Sequence, residues 1–250
     1  PCTSTVTTKN VCMEFKDLRD LIEERCASLL EMPGEIYFGS ERALLEPNGV
    51  AIIGLNPGGE GLGSLREDLD RWEREPRRET FSGYLDVCWH EPEFSRRETC
   101  SRCQRSLSDP AKMHVIPQRH QSTVIGIAES LGIDLRKTLA LNAIWLQTKD
   151  AVKLRSRIKT LGCATISAAF ETYFFPVIRA LIERCKTRLV LCLGNGQTES
   201  SFSLLRDAFG VSQSAIVEVG DSYRDGRYFV YQDVVFFGIA HPSMHSLTPA

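Results

Sequence analysis

Three short apolar runs that end in turns are the feature that most constrains this fold. They are "GVAIIGL" at 49–55, "TLALNAIWL" at 138–146 and "RLVLCLGNG" at 188–196. Apolar runs of this length without polar alternation are typical of strands covered on both faces, as in a parallel sheet. The sequence therefore predicts a mostly parallel sheet at the centre of the molecule.

Helical patterns lie between and around these runs. Apolar residues recur at helical spacing from Val11 to Leu30, and further helices are predicted over 122–133, over 163–186 with a kink at Pro176, and from about 197 to 209. Two or three shorter strands are expected within 214–239. Strands that alternate with helices indicate an α/β fold, here a three-layer α/β/α sandwich with a mostly parallel central sheet.

The length of 250 residues, with 42% hydrophobic and 25% charged residues, is typical of an ordinary globular protein. We expect one domain over 1–250. Residues 60–120 are charged and show no strong period, so they are interpreted as an insertion that contains one short helix near 65–73. The net charge of −2 gives no overall basic character, although "REPRR" (74–78), "RRETCSRCQR" (96–105) and "KLRSRIK" (153–159) are locally basic.

Polar residues lie within or directly after three of the predicted strands. Asn56-Pro57-Gly58 follows the first, Asn142 lies within the second, and His241-Pro242-Ser243 follows the last. Asn-Pro-Gly is also good turn chemistry, so the first stretch alone does not identify a site. Ligands of open α/β sheets bind at the carboxyl ends of the strands, and the three together predict a site there.

The order of these segments resembles the uracil-DNA glycosylase superfamily. "GLNPG" (54–58) is similar to its first motif in the asparagine form, and "LALNAIW" (139–145) to the strand that presents a base-reading asparagine. "LVLCLGNGQT" (189–198) is similar to a core strand and the following helix, and "HPSMHS" (241–246) to the second motif with its DNA-wedging loop. The resemblance implies an enzyme that everts a pyrimidine and hydrolyses its N-glycosidic bond.

The resemblance also implies roles for individual residues. Asn56 and His241 would be catalytic: His241 would donate to the base carbonyl, and Asn56 would position the attacking water, because an amide has no useful basicity near neutral pH. The base-binding residues would be Gly54, Leu55, Pro57, Gly58, Phe81 and Asn142. The DNA-binding residues would be Gly59, Ser243, Met244, His245 and Ser246. Phe81 is the candidate for stacking on the base, Tyr84 is a rival, and an ordinary core role stays open for both.

The stretch after the first motif bears on the substrate. Strict uracil enzymes of the superfamily carry a tyrosine that blocks substituents at C5 of the pyrimidine, whereas this chain has Gly58-Gly59-Glu60-Gly61. The open C5 side, an Asn142 amide that suits cytosine or uracil, and the polar insertion favour the phage-defence branch that removes glucosylated 5-hydroxymethylcytosine. Repair of uracil or another deaminated base stays open as the alternative.

Two hypotheses from other classes are also considered. A catalytically inactive member of the superfamily would bind DNA or a partner, but Asn56 and His241 argue against it. An unrelated α/β enzyme would hold a phosphorylated small molecule in the glycine-rich turns. The chain has no Walker-type lysine after "GLNPGGEGLGS" and no spaced G-x-G-x-x-G motif after its first strand, which disfavours that hypothesis.

The expected partner is DNA, contacted mainly through its phosphates, and no cofactor is implied. Cys100-x-x-Cys103 would need two further ligands to bind zinc, so no metal is assigned. Nine cysteines without a secretory signal indicate reduced thiols and a cytoplasmic location. The resemblance to the phage-defence branch implies that the cell is bacterial or phage-infected. No apolar run approaches the roughly 20 residues that span a bilayer. We expect a monomer with no membrane association.

Overall fold

Four parallel strands form the centre of the protein. The computed structural model describes residues 12–58, 63–76, 78–87, 119–220 and 226–240. Within them six strands form one sheet in the order β2-β1-β3-β6-β5-β4. The first four strands run parallel, and β5 and β4 are antiparallel additions at one edge. The strands are β1 Val50–Gly54, β2 Leu139–Asn142, β3 Leu189–Leu193, β4 Val217–Val219, β5 Gly226–Tyr231 and β6 Val234–Ile239.

Helices connect these strands. In chain order they are α1 Phe15–Cys26, α2 Glu41–Leu45, α3 Leu65–Arg74, α4 Gly83–Asp86, α5 Arg119–Ser130, α6 Ala151–Thr160, α7 Ile166–Ala169, α8 Phe175–Arg184 and α9 Ser201–Ala208. Short 3₁₀ turns lie at Ala27–Leu29 and Gln213–Ala215. No helix of the described ranges has both the length and the apolar character needed to cross a membrane.

Side chains on both faces of the sheet are covered. Alternate strand residues enter two separate cores, so that Ile53 lies in the larger core and Ile52 in the smaller one. Helices α1, α3, α6, α8 and α9 contribute to the larger core, and α4 and α5 to the smaller one. The predicted α/β sandwich with a mostly parallel central sheet is therefore confirmed.

The predicted helix over 163–186 is interrupted near Pro176. Thr165 caps α7 by accepting the Ala168 N–H at 3.0 Å, a π-helical segment covers Phe170–Phe174, and α8 begins at Phe175 with Pro176 in its first turn. A proline lacks the N–H that continues a helical hydrogen-bond ladder, and a first turn tolerates that loss. The break therefore falls just before the proline.

The predicted short helix near 65–73 is α3, and it belongs to the larger core. Ser64 and Glu67 form a reciprocal capping box at its start, with bonds of 3.2 and 2.8 Å. Leu65, Leu69 and Trp72 are buried on its inner face. This part of the charged insertion thus helps to cover the sheet. Residues 60–62, 77 and 88–118 of the insertion lie outside the described residues.

Strand β2 ends at Asn142, four residues before the predicted end. The next four residues are fully buried but leave the strand, and the Trp145 indole N–H donates back to Asn142 O at 3.0 Å. Residues 33–38 run antiparallel beside this segment, with Phe38 N–H donating to Ala140 O and Glu35 N–H to Trp145 O. Gly34 must be glycine, because a Cβ there would overlap the Trp145 carbonyl oxygen.

Candidate functional site

The four parallel strands end at one edge of the sheet. Their last residues are Gly54, Asn142, Leu193 and Ile239. Because the strands are parallel neighbours, the chain leaves all four at the same edge, where ligands of such sheets bind. Asn56 lies two residues beyond β1, and Asn142 is itself the last residue of β2.

Hydrogen bonds join the exits of β1 and β2. Gly54 is paired with Asn142 in the strand register. Beyond the strands, Ile144 N–H donates to Leu55 O at 2.7 Å and Thr148 N–H donates to Pro57 O at 3.2 Å. The two exits therefore continue side by side, and they hold Asn56 and Asn142 on adjoining segments of backbone.

Asn142 is largely buried at this junction. The residue is only 8% exposed, and its backbone carbonyl accepts the Trp145 indole N–H. Among the residues that the structure describes, none donates to or accepts from the carboxamide. Neither of its polar atoms is among the fully buried side-chain atoms that lack a hydrogen-bond partner, so both reach solvent at this edge. A ligand with a donor and an acceptor on one edge could pair with both groups of the amide.

The Asn56 side chain is partly buried and is held through its nitrogen. Nδ2 donates to Pro57 O at 3.0 Å and to Thr148 Oγ1 at 3.1 Å. Both acceptors belong to the protein, so the amide N–H groups are occupied. Toward a ligand or a water molecule, Asn56 thus offers its Oδ1 as an acceptor.

The remaining residues of the first motif differ in exposure. Leu55 is partly buried against the larger core, Pro57 is buried, and Gly58 is exposed. Gln147 Nε2 donates to Gly58 O at 3.1 Å, which fixes the turn from the β2 side. A Cβ built on Gly58 would meet no described atom within 4 Å, so the space beside this backbone is open.

The two aromatic candidates occupy different positions. Phe81 is partly buried, and its ring lies edge-on against Trp72 with centroids 5.3 Å apart. Tyr84 is 1% exposed and packs against Phe38 in the smaller core. A buried ring has no face left for a base, so Phe81 is the better placed of the two for stacking.

Six predicted residues lie outside the described residues, namely Gly59, His241, Ser243, Met244, His245 and Ser246. Strand β6 reaches the same edge of the sheet as β1 and β2, and Ala240, the next described residue, is buried. The Cys100-x-x-Cys103 pair also lies outside them.

Three polar residues at this edge were not predicted from the sequence. Thr148 and Gln147 hold Asn56 and Gly58 as described above, and neither belongs to a recognisable pattern. Asn195 is 4% exposed and follows β3. The sequence carried a signal for Asn195, because it stands after an apolar run as Asn56 does.

A partly buried charged cluster, in which Asp68 is buried and Arg71 is half exposed, borders the edge of the sheet. Glu35 lies on the segment beside β2, and Asp68 and Arg71 lie on α3. Asp68 accepts the Ile36 N–H at 2.9 Å and pairs with Arg71, which also lies 3.5 Å from Glu35. Burial, together with the neighbouring Asp68 carboxylate, raises the pKa of Glu35 to about 7. The Glu35 carboxyl group in this cluster therefore titrates near neutral pH.

The described cysteines are thiols. Cys26, Cys185 and Cys192 are buried and unpaired, and burial raises the pKa of both Cys26 and Cys185 to about 12. Protonated, inaccessible thiols are poor ligands and nucleophiles. Within the described ranges, no group of three His, Cys, Asp or Glu side chains is placed to hold a metal ion.

No protein-family model matches the chain, and no curated protein matches it in sequence. The fold and the site define an α/β protein with a pair of asparagines at the carboxyl edge of a mostly parallel sheet.

Proposed function

We propose that the protein is a DNA glycosylase that hydrolyses the N-glycosidic bond of a pyrimidine everted from DNA. The observation that carries this proposal is the Asn142 carboxamide, which has no partner among the described residues, is accessible at the edge of the sheet and lies beside the exit that bears Asn56. The resemblance of the motifs to the uracil-DNA glycosylase superfamily supports the same assignment.

A pyrimidine edge suits the Asn142 carboxamide. For cytosine, Oδ1 accepts from the exocyclic amine while Nδ2 donates to the ring nitrogen N3. For uracil, the amide rotates, so that Nδ2 donates to a carbonyl oxygen and Oδ1 accepts from N3–H. Asn142 can thus pair with the edge of either pyrimidine and leaves the choice between them to other contacts.

The reaction adds water across the glycosidic bond. The water oxygen bonds to the sugar C1′, and the electron pair of the C1′–N1 bond leaves with the base. One water hydrogen stays on the new hydroxyl group, and the other proton goes to solvent and finally to the released base. Asn56 orients this water through Oδ1 and takes no proton. By resemblance, His241 stabilises the negative charge on the base.

The space beside Gly58 bears on the substrate. Gly58 is exposed, and a side chain there would meet no described atom within 4 Å. Room at this turn supports a C5-modified cytosine, glucosylated 5-hydroxymethylcytosine of phage DNA, as the preferred target, with a role in antiviral defence. Uracil is the second candidate, because the Asn142 amide serves its edge equally well.

Helix α6 offers a basic surface next to the site. It begins three residues after Thr148, and Asp150 caps it by accepting the Lys153 N–H at 2.8 Å. Lys153 and Lys159 are exposed, and Arg155 pairs with Glu199 at the surface. No acidic residue lies between 151 and 160. We propose that this helix contacts DNA phosphates, which bind lysine and arginine without regard to base sequence.

Mass spectrometry of released bases tests the proposed function. The protein is incubated with duplexes that contain uracil and with glucosylated phage DNA, beside Asn56→Ala and a Thr172→Val control in the exposed π-helical segment between α7 and α8. We expect the wild type and the control to release glucosylated hydroxymethylcytosine and Asn56→Ala to lose most of that activity. Release of uracil alone would replace the preferred substrate with the second candidate. DNA binding without base release by the wild type would contradict the enzymatic proposal.

A further inference from the structure

Thr148 lies in a chain of hydrogen bonds that ends at Asn56. Its hydroxyl group donates to Asp150 O at 3.2 Å, and its oxygen accepts from Asn56 Nδ2 at 3.1 Å. Thr148 is 6% exposed, and its backbone N–H also donates to Pro57 O. The side chain and the backbone of one threonine thus hold the exit of β1 from the β2 side.

The chemistry of the groups fixes which atom donates and which accepts in each of these hydrogen bonds. Pro57 O and Asp150 O are carbonyl oxygens and can only accept. The single hydroxyl hydrogen of Thr148 is used on Asp150, so Thr148 acts toward Asn56 as an acceptor. The Asn56 atom that faces both acceptors must therefore be the nitrogen, which leaves Oδ1 for a ligand.

We propose that Thr148 is a positioning residue that keeps Asn56 in its water-accepting orientation. This inference rests on the proposed function. An attacking water must direct a lone pair at the sugar carbon, so its hydrogens must meet acceptors. If the Asn56 amide rotated by half a turn, its N–H groups would occupy that lone pair. The Thr148 hydroxyl group and Pro57 O both oppose this rotation. Pro57 O is a backbone atom, so only the Thr148 hydroxyl group can be removed by substitution.

Thr148→Val is the direct variant, because valine keeps the shape of threonine and lacks the hydroxyl group. Thr148→Ser keeps the hydroxyl group and should rescue the activity. Thr172→Val is the matched control: Thr172 also bonds a carbonyl oxygen through its hydroxyl, that of Ala168 at 2.7 Å, but it lies on the surface in the π-helical segment. The Thr148→Val and Thr172→Val variants lose the same hydroxyl group. A difference between their rates of base release therefore reflects where that group lies in the structure.

Single-turnover kinetics should separate positioning from a general loss of structure. We expect Thr148→Val to lower the rate constant of base release by roughly tenfold, the effect of one hydrogen bond, with little change in DNA affinity. Thr148→Ser should stay near wild type. In an Asn56→Ala background, Thr148→Val should cause no further loss, because the group it positions is gone. An additive loss in that background, or an unchanged rate in the single variant, would overturn the inference.

Nuclear magnetic resonance of the Asn56 side-chain amide gives a readout that needs no activity. The signals are assigned by their absence in Asn56→Ala. We expect slow exchange of the amide protons with water in the wild type and in Thr148→Ser, and faster exchange in Thr148→Val. Unchanged exchange in Thr148→Val would show that Thr148 does not hold Asn56. If the wild type releases no base from any DNA, the proposed function and the catalytic role of Thr148 both fall, even where the exchange data still show the contact.

Discussion

Gly54 and Asn142 are paired across β1 and β2, and a Cβ on Gly54 would lie 2.5 Å from Asn142 Oδ1. This distance is shorter than any normal contact of a methyl group, so the carboxamide can occupy its place only beside a glycine. The glycine that ends the first strand thereby sets the position of the Asn142 carboxamide on the second strand.

Gly54→Ala should therefore displace the Asn142 carboxamide. We expect a folded protein that loses base release by roughly tenfold or more, because the polar groups that read the base are no longer aligned. Overpacking at a buried site should also lower the free energy of unfolding by about 1–3 kcal/mol. Single-turnover base release and urea denaturation measure the two effects.

Gly126→Ala is the control for Gly54→Ala. Gly126 lies in α5, and a Cβ there meets no described atom within 4 Å. Alanine is the better helix former by about 1 kcal/mol, so this variant should be at least as stable as the wild type and equally active. Full activity in Gly54→Ala would contradict the role given to Asn142.

Gly58→Tyr should close the space assigned to C5 substituents. The exposed backbone at Gly58 admits a side chain, and an aromatic ring beside the base would exclude a glucosyl group and tolerate the C5 hydrogen of uracil. We expect release of glucosylated hydroxymethylcytosine to fall by about tenfold or more relative to release of uracil. Base-release assays on both DNAs measure this ratio, and Gly58→Ala should leave it unchanged. An equal loss on both substrates would show that Gly58 does not gate the C5 side.

The sheet was predictable from the sequence because buried parallel strands are apolar without interruption, as at Ile52 and Ile53. The end of β2 was not predictable, since Ala143 to Leu146 are as buried as the strand itself. Burial does not distinguish a strand from a buried turn, and here the Trp145 indole bond and the neighbouring segment 33–38 set the turn.

Some residues of the candidate site were also predictable from the sequence, and others were not. Asn56 follows an apolar run and Asn142 interrupts one, and both features are visible in the sequence. Thr148 contacts Asn56 across 92 residues of chain, and Asp68 contacts the segment of Glu35 across 32 residues. Contacts at such separations depend on strand order and helix placement, which composition and local spacing do not encode. The supporting residues therefore emerged only with the fold.

The Glu35 carboxyl predicts a pH dependence of stability. Burial and the Asp68 carboxylate raise its pKa from an ordinary 4.5 to about 7 in the folded protein. The folded state then holds a proton that the unfolded state releases at lower pH. Its contribution to stability is full below pH 4.5 and is lost as the pH rises through 7.

Glu35→Gln should remove this dependence, because glutamine resembles the protonated acid. Relative to wild type, we expect the variant to gain about 1–3 kcal/mol in free energy of unfolding between pH 5 and pH 8, from roughly 1.4 kcal/mol per pKa unit. Urea denaturation at several pH values measures the gain. The surface variant Glu199→Gln should parallel the wild type over this range, because Arg155 lowers the pKa of Glu199. A constant difference between Glu35→Gln and wild type would rule out titration of Glu35 near pH 7.

The lysines of α6 predict the salt dependence of DNA binding. Each phosphate contact releases a counterion, so the logarithm of the binding constant falls with the logarithm of salt concentration by about 0.9 per contact. Replacing both Lys153 and Lys159 with alanine should weaken binding to any duplex and reduce this slope by up to about 2. Lys137→Ala is the control, because Lys137 precedes the amino end of β2 and lies 3.6 Å from Glu46, away from the site. Fluorescence anisotropy across a salt series measures the slopes. An unchanged slope in the double variant would contradict the proposal that α6 contacts DNA. It would not bear on Asn56 and Asn142, because phosphate contacts set the register of the protein on DNA and do not read the base. Base release tests those two residues separately.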